Sequence, residues 1–220
     1  MKRIKIFLIA ILCLVACVVN AQATKKVIWD YPVKPGTEEW SQFQSNEEMV
    51  KACQIPENLL SLLSTDDLAD LCLRYPLLHD LFAFENTNSG LDKLFSDFNG
   101  IRELYQRKDV SNNLNNLYVG KIRSFSVLNE NISDYEKGRF IVSVSTLEVL
   151  LSRIDWKESI ERKSSKEVLI SLVAGYERKL DYVDYFKGFG FQTNLYSRAH
   201  VIAKMDSLFV EKLQNKDNNL

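Results

Sequence analysis

The 220 residues are 46% hydrophobic and 26% charged, proportions of a globular chain that exclude disorder throughout. Eight Gly and four Pro exclude collagen, and four Cys exclude a disulfide-dense miniprotein. A formal net charge of −1 excludes a basic nucleic-acid footprint over the whole chain, and the length allows one domain, or two small ones at roughly 100–200 residues each.

Residues 1–21 read as a signal peptide. Lys2, Arg3 and Lys5 form a basic start, and Ile6 to Val19 is an uncharged apolar run of fourteen. That is too short for a spanning helix of about 20 residues and suits a signal core. Val19-Asn20-Ala21 offers a small-residue cut before Gln22. Two alternatives stand beside it: Leu14-Val15-Ala16-Cys17 resembles a lipobox, with Cys17 lipidated, or the segment stays as an uncleaved anchor. The expected location is therefore periplasmic or secreted, with an outer-membrane lipoprotein as the lesser reading. Removal of residues 1–21 leaves 25 basic against 29 acidic residues, a net of −4 with no general attraction to nucleic acid or anionic lipid. A membrane is then met only through an uncleaved signal or a lipid anchor.

Residues 22–36 read as an extended arm. Pro32 and Pro35 hold their predecessors out of the helical region. Trp29 and Tyr31, two apart, point to one side of an extended chain, so the arm is expected to dock through them. Helical signals dominate 37–120. Thr37 caps a short helix through Phe43, Ser45 with Glu48 forms a capping box, Pro56 opens a helix to Leu63, and Ser64 caps the next. Leu77 to Phe84 reads as another short helix, Asn86 to Gly90 as a turn, and Asn99-Gly100 as a helix end. Cys53 and Cys72 read either as a disulfide or as two buried thiols on separate helices.

Residues 121–133 read as a loop or short strand connecting two subdomains. The second subdomain is expected over 134–215, before a frayed polar tail at 216–220. Phe140, Val144, Leu147, Leu151 and Ile154 recur at helical spacing, although Ile141 to Val144 alone would pass for a strand. Ser164 with Glu167 opens a helix whose apolar stripe runs from Val168 to Leu180 and Val183. A last helix carries Leu195, Ala199, Ile202, Phe209 and Leu213. The fold expected is all-α: about nine or ten helices without a fixed repeat, as an irregular solenoid or a layered multi-helix bundle.

Chemistry is sparse. No HExxH, CxxC, GxSxG or SxxK occurs. No catalytic residue, metal ligand or cofactor motif is assigned. His79 reads as a core or boundary imidazole and His200 as surface. The pairs Glu38-Glu39, Glu47-Glu48 and Asp66-Asp67 fall in first helical turns, where acids offset the helix dipole. Tyr182, Tyr185, Phe186, Phe189 and Phe191 put five aromatics in ten residues, as a binding platform or as a core corner.

The opening Tyr31-Pro32-Val33-Lys34-Pro35-Gly36 with Glu39-Trp40 resembles that of a group of uncharacterised exported helical proteins of Gram-negative bacteria. Cys53-Gln54-Ile55-Pro56, Tyr75-Pro76 and Phe95 to Ile101 share the likeness, which covers residues 29–105. It implies an exported helical protein and carries no activity with it. The function expected is a non-catalytic protein- or peptide-interaction module of the cell envelope. The alternatives are a lipid-anchored accessory protein for glycan uptake and an envelope enzyme with an acidic site.

Overall fold

The computed structural model describes residues 29–154 and 162–217, with side chains at 29–154, 165–188 and 190–205. The signal segment, Cys17, and the side chains of Phe189, Phe209 and Leu213 lie outside these. The described chain is helical, without a strand among the described residues.

Side-chain caps set most of the early helices. In α1 (Glu38–Ser41) Thr37 accepts from the Trp40 amide. In α2 (Asn46–Ala52) Ser45 accepts from the Glu48 amide, but the Glu48 carboxylate turns back to the Gln44 amide at 2.8 Å rather than closing a reciprocal box. Pro56 precedes α3 (Glu57–Leu60), and Ser64 caps α4 (Thr65–Leu73) through the Asp67 amide. All three acidic pairs sit in first turns.

Next comes a 3-10 turn, Leu78–Phe82, and then α5 (Thr87–Asp97). The expected turn at Asn86 to Gly90 is instead the start of α5. The Asn86 side chain accepts from the Ser89 amide at 2.9 Å, because a residue that suits a turn equally suits an N-cap. Gly90 lies inside the helix for a steric reason: a Cβ there would stand 2.1 Å from the Leu81 carbonyl oxygen. Gly90→Ala sets two effects against each other. Alanine's helix preference favours it by about 1 kcal/mol. Contact with a backbone oxygen that cannot rotate away overrides this, so a net loss of about 1–3 kcal/mol is expected, read as a lower urea midpoint at unchanged slope.

Asn99-Gly100 likewise begins a helix, α6 (Asn99–Leu104), rather than ending one. The Asn99 side chain accepts from the Ile55 amide at 3.0 Å and donates to the Ile55 carbonyl at 2.7 Å. Gln54 meanwhile accepts from the Asn99 amide. These bonds tie the α2–α3 junction to the α5–α6 junction.

The expected connector at 121–133 holds the end of a helix and a 3-10 turn, and two of its residues enter the core. Helix α7 (Val110–Arg123) passes through Gly120, and a 3-10 turn, Phe125–Asn129, buries Phe125 and Leu128 completely. Helix α8 (Asp134–Arg153) opens on a capping box of Ser133 and Glu136 that the sequence reading missed. Every residue from Ser143 to Ser152 is buried, so the C-terminal half of this helix is covered on all sides, whereas Tyr135 in its first turn is 70% exposed. Helix α9 (Arg162–Leu180) includes Ser164 rather than starting there. A short α10 (Val183–Phe186) and the long α11 (Phe189–Asp217) follow, α11 passing the expected end at 215. Helix α8 packs on α7 and α11, α9 packs on α7 and α11, and α7 also meets α4. One cluster of buried side chains runs from Tyr31 to Val201, across the expected subdomain boundary.

The arm from Trp29 to Gly36 lies on this body. Tyr31 is buried, and its hydroxyl donates to the Leu71 carbonyl at 2.9 Å. Its ring meets Trp29 edge-on at 5.0 Å and lies 6.1 and 6.4 Å from Tyr75 and Phe98. Asp30 bonds Arg74 at 2.7 Å and pairs with Lys34.

Candidate functional site

Two polar constellations stand out, one sealed in the core and one open at the surface. The first centres on Glu148 of α8, which with Lys179 is fully buried. One carboxylate oxygen accepts from the Tyr118 hydroxyl at 2.6 Å and from Asn194 Nδ2 at 2.8 Å. The other accepts from Lys179 Nζ and Thr193 Oγ1, each at 2.7 Å. Lys179 also donates to the Gly190 carbonyl and stands 5.0 Å from the Phe186 ring centre. Ser197 donates to the Glu148 carbonyl at 2.6 Å. Four helices, α7, α8, α9 and α11, therefore meet at one ion pair. Gly175 makes room for it, since a Cβ there would lie 2.0 Å from the Tyr118 hydroxyl oxygen. Four donors on one carboxylate offset the large desolvation penalty of a buried charge. The cluster holds helices in register, and with both charges sealed it offers no surface to a substrate.

This cluster also decides the orientation of α11. Its inward face carries Thr193, Asn194, Ser197 and Val201, while Leu195 and Ile202 of the expected apolar stripe are 51% and 43% exposed. On α9 Lys179 takes the inward position, and Leu180, with Val183 at the start of α10, points to solvent. The ion pair needs donors, and a carboxylate left without them would cost more than a few exposed aliphatic side chains.

Burial shapes titration as well. It raises the pKa of the Tyr31, Tyr75 and Tyr105 phenols, and of Tyr118, where the Glu148 charge adds to it. It also pushes the Cys53 thiol up to about 11. The folded chain keeps these protons where the unfolded chain has lost them. The stability they carry is thus whole below the unfolded values of 9.0 for the thiol and 10.0 for the phenols, and falls as pH rises through the folded ones. Cys72 and Tyr196 are raised by burial in the same way, while Lys179 and Lys121, lowered by burial from 10.5, oppose this between their lowered values and 10.5, two groups against seven. The urea midpoint is expected to hold to about pH 8.5 and fall steeply above pH 9, a series of unfolding curves from pH 7 to 11 being the check.

The second constellation is a cleft of about 240 Å³ between the segment 75–84 and α5. Leu77, Leu81, Leu94 and the 40%-exposed Phe84 form its apolar walls. Tyr75, Asp80, Lys93 and Asp97 supply its polar groups. The Tyr75 ring is buried and stacks on Phe98 at 4.1 Å, and its hydroxyl has no hydrogen-bond partner among the described residues. A neighbouring hollow lined by Glu47, Lys51 and Gln54 shares Asn46, Lys93 and Asp97 with the cleft, making one continuous groove.

The residues singled out from sequence are dispersed. Cys53 and Cys72 are buried free thiols, not a disulfide. Among the described side chains, the aromatic run forms no common face. Tyr182 and Phe186 pack on Phe125 in the core, Phe191 meets Tyr176, and Tyr185 lies 5.9 Å beneath Lys137 Nζ. His79, expected in the core or at its boundary, is exposed beside Asp80, because the 3-10 turn points it outward. His200 is half-buried over the Tyr196 ring at 3.9 Å. No three His, Cys, Asp or Glu side chains converge as a metal site among the described residues, and no described helix is long and apolar enough to cross a membrane. The Glu148 cluster and the Tyr75 cleft were both missed. The signals available were Glu148 inside an otherwise uncharged run and the Tyr75-Pro76 break. Comparison with protein-family models, with curated proteins and with solved structures found no match to the chain.

Proposed function

We propose that the chain is a non-catalytic protein- or peptide-interaction module of the bacterial cell envelope, exported by residues 1–21. The observation that carries the reading is the groove at 75–97, whose apolar walls, exposed Phe84 and unpartnered Tyr75 hydroxyl have the character of a recognition site. The helices read best as a layered bundle: Ser143 to Ser152 of α8 are all buried, and α8 packs on α11 as well as on its neighbour α7, whereas solenoid units meet only their neighbours. Of the five aromatics that the glycan-uptake alternative would use, Tyr182 and Phe186 are buried. The three acidic pairs lie in first helical turns, where they offset the helix dipole.

Selection from a phage-displayed random peptide library, followed by amide chemical-shift mapping, tests the binding. Selected peptides are expected to shift amides of 77–84 and 90–97. Peptides that bind only elsewhere, or no selected peptide at all, would overturn it. Intact mass of the exported protein checks the address: a chain beginning at Gln22 is expected, and one beginning at a lipidated Cys17 would overturn it.

A further inference from the structure

Resting on the peptide-binding reading, we propose that the cleft between segment 75–84 and α5 receives a cationic side chain, Lys or Arg, of an extended partner peptide. Three features meet there. The Asp80 carboxylate, 39% exposed at the mouth, has His79 Nε2 at 3.2 Å and no Lys or Arg bonded to it among the described residues. Asp97 sits deeper, 18% exposed, and Lys93 at 2.8 Å offsets its charge, so the cleft as a whole stays negative. The Tyr75 hydroxyl, buried and unpartnered, lies in the field of both carboxylates and has lone pairs free to accept.

A neutral polar group would leave the Asp80 charge unanswered, and an anion would be repelled by it. A guanidinium or ammonium supplies donors to Asp80 and to the Tyr75 oxygen at once. Its methylene stem suits the walls of Leu77, Leu81 and Leu94, and Phe84 at the rim offers a ring face to the charge. A cavity of about 240 Å³ holds one such side chain rather than a folded element.

Three probes test this on the full ¹⁵N-labelled chain: acetyl-leucyl-arginyl-leucine amide, its citrulline isostere and its glutamate counterpart. The arginine peptide is expected to bind about tenfold tighter than the citrulline one, the worth of one charge-assisted bond, with shifts centred on Leu81, Ala83, Gly90 and Leu94. Asp80→Asn, at an exposed position, is expected to erase that preference without changing the melting temperature. Tyr75→Phe is expected to weaken arginine-peptide binding and to raise the melting temperature by about 2–4 °C, since a buried hydroxyl without a partner is removed. Equal binding of all three peptides in the cleft overturns the cationic assignment and leaves peptide binding standing. No shift in the cleft with any of them overturns both. A Tyr75→Phe chain that melts lower overturns the role given to the hydroxyl.

Discussion

Glu148→Gln is expected to lower stability by about 3–5 kcal/mol, the cost of stranding a buried charge. Against a typical total of about 5–15 kcal/mol, that is a third or more of what holds the chain folded. The variant keeps most of the shape of the cluster but leaves Lys179, fully buried, without its counter-charge. Replacing both partners, as in Glu148→Leu with Lys179→Met, is expected to recover most of the loss, because the desolvation penalty disappears with the charges. The pH response discriminates further. Burial already lowers the Lys179 pKa below 10.5. With the carboxylate gone, the folded chain holds that lysine neutral while the unfolded chain protonates it. Stability of Glu148→Gln should therefore rise with pH up to about 9, above which the thiols and then the tyrosines oppose it. Urea unfolding of the two variants across pH 6–9 is the measurement. A Glu148→Gln midpoint within error of the parent, or independent of pH, would show that Lys179 is not held as described.

Tyr31→Ala is expected to cost about 3–5 kcal/mol, as large aromatic truncations in cores do. The residue belongs to an arm that no helix contains, yet it is 3% exposed among Trp29, Tyr75 and Phe98. Tyr31→Phe should cost only about 1 kcal/mol, because the Leu71 carbonyl keeps its bond from the Arg74 amide at 3.0 Å. Deleting residues 24–35 should match the alanine variant and expose the Tyr75 and Phe98 rings, read as a lower melting temperature with greater binding of an apolar dye. A shortened chain that melts unchanged, with fast hydrogen exchange through the arm of the parent, would show a tether instead of a docked strap.

The arm and the cleft share a side chain. The Tyr75 ring supports both Tyr31 and Phe98, so the floor of the cleft and the seat of the arm are one aromatic stack. Tyr31→Ala is therefore expected to loosen the cleft as well as the arm.

What was legible in the sequence is what is settled within four residues along the chain. The caps at Thr37, Ser45 and Ser64, the acidic first turns and the all-helical character all rest on contacts between a residue and its third or fourth neighbour. Asn86 was misread for the same reason: turn and N-cap use one local chemistry, and only the packing of Gly90 on Leu81 chooses between them. The arm's Trp29 and Tyr31 were visible as a pair, but their seat beside Leu71 was not. Tertiary structure alone decided the inward face of α11. Periodicity put Leu195 and Ile202 inside, yet Thr193, Asn194 and Ser197 are there, because Glu148 and Lys179 meet across 31 residues and must be satisfied from a third helix some 45 residues away. Burial of apolar area is a sum that any face can contribute to. A buried charge needs particular donors at particular distances, and its partners are named only once the helices have met.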